Sequence, residues 1–120
     1  MTIDETRRLH LVRDLLEMRS PLKSVIRELS AITWDYDGEG VDLTRGNLAS
    51  VLQRYLRGEV CEADIELWAN QVEGRDDVQL DTRSKPMIEE VLYELANPFL
   101  TQRLDHIRAQ QLLSRLAHSE

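Results

Sequence analysis

Apolar residues recur every three to four positions along almost the whole chain, and this period constrains the fold more than any other feature. Leu9, Val12, Leu15 and Leu16 make one stripe, flanked by Leu11 and Met18, and predict a helix over 4–19. Leu22, Val25, Ile26 and Leu29 predict a second over 21–32, with Ser20 as N-cap and Pro21 in the first turn. Leu48, Val51, Leu52, Tyr55 and Leu56 give a third over 44–57, closed by Gly58 at the position where a left-handed backbone is least costly without a Cβ. Ile65, Trp68, Ala69 and Val72 give a fourth over 62–73, ended by Gly74. Ile88, Val91, Leu92 and Leu95 give a fifth over 85–96, stopped by Asn97-Pro98. Leu104, Ile107, Leu112, Leu113 and Leu116 give a sixth over 102–117, with Thr101 as its expected cap.

Each stripe must find a facing stripe to leave water. With 120 residues there is material for one core, and no heptad persists beyond two turns. The expectation is therefore all-α: one domain over 1–120, a compact bundle of five to six short amphipathic helices. Trp68, Leu52, Leu56, Val91, Leu92 and Leu95 are its expected core. Val78 and Leu80 are too short an alternation to count as a strand. The fourth helix has two further start signals. Cys61 falls at the N-cap with Asp64 three positions on, and Val60 and Ile65 have the spacing of a hydrophobic staple.

Charge is distributed unevenly. The chain carries a net −7, but residues 1–33 sum to +1 and residues 82–120 to zero, so residues 34–81 hold −8. Such a field repels nucleic-acid backbones and anionic membranes and attracts basic proteins. The longest irregular segment, 33–43, concentrates it. There Asp35, Asp37, Glu39 and Asp42 surround Trp34 and Tyr36. Aromatic anchors ringed by acids have the composition of a protein-binding hot spot for a basic partner. A second acidic segment, Glu73 to Asp77, closes the fourth helix. There the macrodipole disfavours Asp76 and Asp77 unless they meet a cation, Arg75 internally or a partner externally.

Signals for catalysis are weak. His10, His106 and His118 show neither HxxxH nor HExxH spacing. No GxSxG elbow is present, and Gly38-Glu39-Gly40 lacks the lysine of a phosphate loop. Cys61 could be activated at a helix N-terminus, but Glu59, Glu62 and Asp64 oppose a thiolate. Asp35, Asp37, Glu39 and Gly40 match the opening of an EF-hand loop, yet Gly46 stands where the bidentate glutamate is required and Asp42 where an apolar residue is usual. No catalytic residue, metal or cofactor is expected. The single Cys61 excludes an intrachain disulfide and a multi-cysteine zinc site. No apolar run reaches transmembrane length, and MTIDETRRLH has no secretory h-region, so a cytoplasmic protein is expected.

Three short stretches carry a resemblance. Leu52, Tyr55, Leu56, Gly58 and Glu59, then Trp68, Ala69, Asn70, Glu73, Arg75 and Asp77, then Glu94 to Pro98, together resemble a group of small acidic helical bacterial proteins. These are immunity proteins that neutralise polymorphic or contact-dependent toxins. The resemblance spans 47–98, consists of helix-core and helix-stop residues, and transfers no site residue. It implies a stoichiometric inhibitor, not an enzyme. Combined with the charge pattern, it predicts a module that binds a basic toxin, such as a nuclease, through Trp34, Asp35, Tyr36, Asp37, Glu39, Asp42, Asp76 and Asp77. The competing readings are a helical regulatory adaptor with an apolar groove, and a small metal-binding enzyme.

Overall fold

The computed structural model describes residues 3–19, 21–32 and 40–117. Six helices account for most of them: α1 (Ile3–Leu16), α2 (Leu22–Ser30), α3 (Arg45–Leu56), α4 (Glu62–Val72), α5 (Lys85–Ala96) and α6 (His106–Ala117). The all-α expectation holds, with one addition. Val41–Leu43 and Val78–Leu80 form strands β1 and β2, paired in parallel with Val41 opposite Val78 and Leu43 opposite Leu80. Val78 and Leu80, too short an alternation to predict a strand, do form one. A three-residue strand has too few positions to show a period, and its hydrogen-bond partner lies in a distant part of the chain.

Helices pack in pairs, α1 on α2, α3 on α6 and α4 on α5, around one continuous apolar core. Trp68 is fully buried, and its indole N–H donates to the Leu15 carbonyl at 2.6 Å, so the ring fixes α4 against the end of α1. Leu52, Val91, Leu92 and Leu95 are buried as expected. Leu56 is only partly buried at the rim.

Helix ends follow from local chemistry. Thr44 caps α3, accepting from the Asn47 N–H at 3.2 Å, while Asn47 returns its side-chain oxygen to the Thr44 N–H at 2.9 Å. At α4 the Asp64 carboxylate accepts from both the N–H and the thiol of Cys61, at 3.0 and 3.2 Å, which holds its pKa below the usual carboxylate range. The cap expected at Thr101 is corrected. Its hydroxyl turns back to the Glu94 and Asn97 carbonyls of α5, at 3.1 and 2.8 Å. Asp105 caps α6 instead, accepting from the Arg108 N–H at 2.7 Å. Ser20 lies outside the described residues.

Two helices close with the same pair of backbone bonds. After α3, Gly58 (φ +79°) donates to Tyr55 at 3.0 Å and Glu59 donates to Arg54 at 2.9 Å. After α1 the left-handed residue is Met18 (φ +53°), with Met18 donating to Leu15 at 2.9 Å and Arg19 to Asp14 at 3.0 Å. A methionine is unfavourable in this conformation. Its side chain is 2% exposed, and that burial offsets the backbone cost. The Arg54 guanidinium donates to the Met18 carbonyl and finishes the turn.

Candidate binding surface

The parallel strand pair sets 40–43, the described end of the first acidic segment, beside 77–81, which follows the second. Val41 donates to the Asp77 carbonyl at 2.9 Å, and Asp81 donates to the Leu43 carbonyl at 3.0 Å, so 40–43 runs alongside 77–81. Gly40 makes this approach possible. A Cβ there would lie 2.6 Å from the Asp77 oxygen and 2.7 Å from its carbonyl carbon. Only glycine fits without moving backbone.

Strand alternation sorts the side chains of this edge. Leu43 is buried, whereas Asp42 and its neighbour in register, Gln79, point to solvent. Asp76 and Glu73 are also exposed. Asp81 is half-buried and grips Arg83, accepting from its Nε at 3.3 Å, its Nη2 at 3.1 Å and its backbone N–H at 3.2 Å. Those bonds, the side-chain ones foremost, lower the Asp81 pKa and raise that of Arg83.

Asp77 is the correction among the expected partner-binding residues. It is 2% exposed and faces inward. Arg75 donates to it twice, Nε to Oδ1 at 2.8 Å and Nη2 to Oδ2 at 3.1 Å, and Arg8 of α1 donates to Oδ2 at 3.0 Å. Burial pushes the Asp77 pKa up, but the hydrogen bonds and charges of Arg75 and then Arg8 outweigh it, and the net direction is down. The macrodipole argument thus finds an internal answer. Asp77 ties α1 to the strand pair and is not available at the surface. Of the other residues named from the sequence, Asp42 is exposed on β1 and Asp76 is exposed in the turn before β2. Trp34, Asp35, Tyr36, Asp37 and Glu39 lie outside the described residues, as do all three opening carboxylates of the EF-hand match.

Groups capable of chemistry are dispersed among the described residues. His10 lies 3.6 Å from Asp14 on its own helix, and the His106 ring meets Tyr55 edge-on with centroids 5.3 Å apart. His118 lies outside the described residues. Cys61 is exposed, with Asp64 as its neighbour. Among the described residues no group of three His, Cys, Asp or Glu side chains could hold a metal ion. No described helix is long and apolar enough to cross a membrane.

The sequence reading also missed a surface feature. Phe99, the single phenylalanine of the chain, is 97% exposed in the α5–α6 connection, and Leu100 beside it is 74% exposed. The available signal was its position, just after the Asn97-Pro98 stop and outside every apolar stripe.

Compared with known proteins, the chain matches no family model, no curated protein and no solved structure.

Proposed function

We propose that this protein is a non-enzymatic binding module of the immunity or antitoxin type, which neutralises a basic toxin such as a nuclease by stoichiometric association. The observation that supports this most is the pairing of β1, where Asp42 is exposed, with β2, which follows the segment where Glu73 and Asp76 are exposed and which is anchored to α1 through Asp77. A nuclease domain must be basic to hold phosphates, so an acidic edge speeds its capture and competes with its substrate. The acids of 34–39 extend the same run of negative charge in sequence.

The test is affinity capture with the tagged protein from its native cells, followed by binding kinetics on whatever is retained. The expected partner is basic, binds one-to-one and associates more slowly as salt rises. Exchange of Asp42, Asp76 and Glu73 to Asn or Gln should slow association at low salt and leave folding intact. A retained partner that is acidic, or association indifferent to both salt and these exchanges, would overturn the reading.

A further inference from the structure

We infer that β2 accepts a third strand: an extended, basic segment of the binding partner adds along the edge that faces away from β1. This rests on the reading of the protein as a module for a basic partner, and it supplies the mode of docking. The two strands pair in register from Val41–Val78 to Leu43–Leu80. The Asp77 carbonyl and the Asp81 N–H bond to β1, at 2.9 and 3.0 Å. Alternation therefore directs the backbone groups of Asp77, Gln79 and Asp81 toward β1 and those of Val78 and Leu80 away from it. On that far side the turn uses the Val78 N–H, which donates to the Arg75 carbonyl at 3.4 Å. The Val78 carbonyl and both backbone groups of Leu80 have no hydrogen-bond partner among the described residues. A donor between two acceptors on extended backbone is what an incoming strand pairs with.

A groove of about 350 Å³ lies against β2. Val78 and Leu80 line it with Val72 of α4 and with Leu92 and Tyr93 of α5, and no β1 residue does. Tyr93 is 47% exposed there. A strand laid on β2 sends every second side chain to this face, so an apolar residue enters the groove beside Tyr93, a residue type enriched among binding anchors. Charge then selects the occupant. Glu73 and Glu89 also line the groove, both are exposed, and neither has an ion-pair partner among the described residues. Asp76, exposed in the turn that enters β2, has none either. The cation in the lining, Arg75, is bonded to Asp77. The Arg8–Asp77–Arg75 cluster carries one net positive charge, with Arg8 buried, against those three carboxylates. A second copy adding its own β2 would bring Glu73, Asp76 and Glu89 against the same acids, and an acidic segment would meet the same repulsion. A segment with Lys or Arg flanking an apolar residue satisfies the backbone edge, the groove and the charge together.

The probe is an acetylated, amidated hexapeptide of alternating lysine and valine, titrated into the isotope-labelled whole chain and followed by amide NMR. The Leu80 amide should shift and exchange more slowly with solvent as it gains an acceptor, with a dissociation constant on the order of 1 mM. The same peptide N-methylated at every residue keeps its charge and side chains but not its donors, and should bind at least about tenfold more weakly. A glutamate–valine peptide should leave Leu80 unmoved. Glu89→Lys should weaken binding by about fivefold and Tyr93→Ser by about tenfold. Both variants should keep the wild-type circular dichroism, since both side chains are exposed. A lysine–valine peptide that leaves the Leu80 amide unchanged, or that binds equally well when N-methylated, would overturn strand addition. If a basic protein is retained from cells but the peptide does not touch Leu80, the binding-module reading stands and strand addition falls. If the peptide adds at β2 but no basic protein is retained, strand addition stands and the module reading falls.

Discussion

Asp77→Asn keeps the size of the side chain and removes its charge. In the native protein that carboxylate accepts three guanidinium hydrogen bonds, two from Arg75 and one from Arg8, at 2.8 to 3.1 Å. Arg75 is 17% exposed at its side chain, whereas Arg8 is 6% exposed and more fully withdrawn from water. Removing one partner of a buried ion pair costs about 3–5 kcal/mol, and Asn withdraws the negative charge that Arg75 and Arg8 share. A chain of this length has a total stability of roughly 6–18 kcal/mol, so this one exchange removes a large share of it. With a urea m-value near 1.5 kcal/mol/M, the midpoint should fall by about 2–3 M. The paired variant Arg8→Met gives the control. A double-mutant cycle should return a coupling of about 1.5 kcal/mol or more, the Asn chain losing less when Arg8 is already gone. The deficit should also depend on pH. The folded pKa of Asp77 is lowered, so its contribution is present above the unfolded value of about 3.9 and is lost as pH falls through the folded value. Wild type and Asp77→Asn should therefore converge in stability as pH drops below about 4. A cost under about 1 kcal/mol at pH 7, or a gap that persists unchanged at pH 2, would show that the carboxylate does not hold α1 to the strand pair.

Further outcomes follow from the same physical argument. Trp68→Ala should cost about 3–5 kcal/mol in chemical denaturation, and Trp68→Phe about 1–3, since the Leu15 carbonyl then loses its donor inside the core. Gly40→Ala should lower stability by about 1–3 kcal/mol through collision with the Asp77 carbonyl, and amide exchange should speed at Val41 and Asp81, whose N–H groups bridge the strand pair. Gly58→Ala should cost about 1–2 kcal/mol, because no atom lies within 4 Å of the added methyl and only the left-handed backbone resists it. Met18→Gly, at the equivalent turn after α1, should instead destabilise by more than the backbone strain it relieves, since it empties a buried side-chain site.

The helices were legible because their apolar stripes repeat within ten to fifteen residues, a local signal that needs no knowledge of the partner surface. The Gly58 stop, the Cys61–Asp64 start and the burial of Trp68 were legible for the same reason. The concentration of acids in 34–81 was also plain from the chain. The sequence could not show that β1 and β2 pair. Each has three residues, and their register, Val41 on Val78, joins positions that nothing local connects. That pairing decided the rest of the acidic edge. It set Gly40 against the Asp77 backbone, turned Asp42 outward, and drew Asp77 inward to Arg8, a residue 69 positions away. Phe99 escaped notice because exposure is a property of the folded surface: the same Asn97-Pro98 stop could have turned the ring into the core or out of it. Local periodicity specifies which faces must be buried. Only the packed chain specifies which charges are neutralised by one another and which side chains remain for a partner.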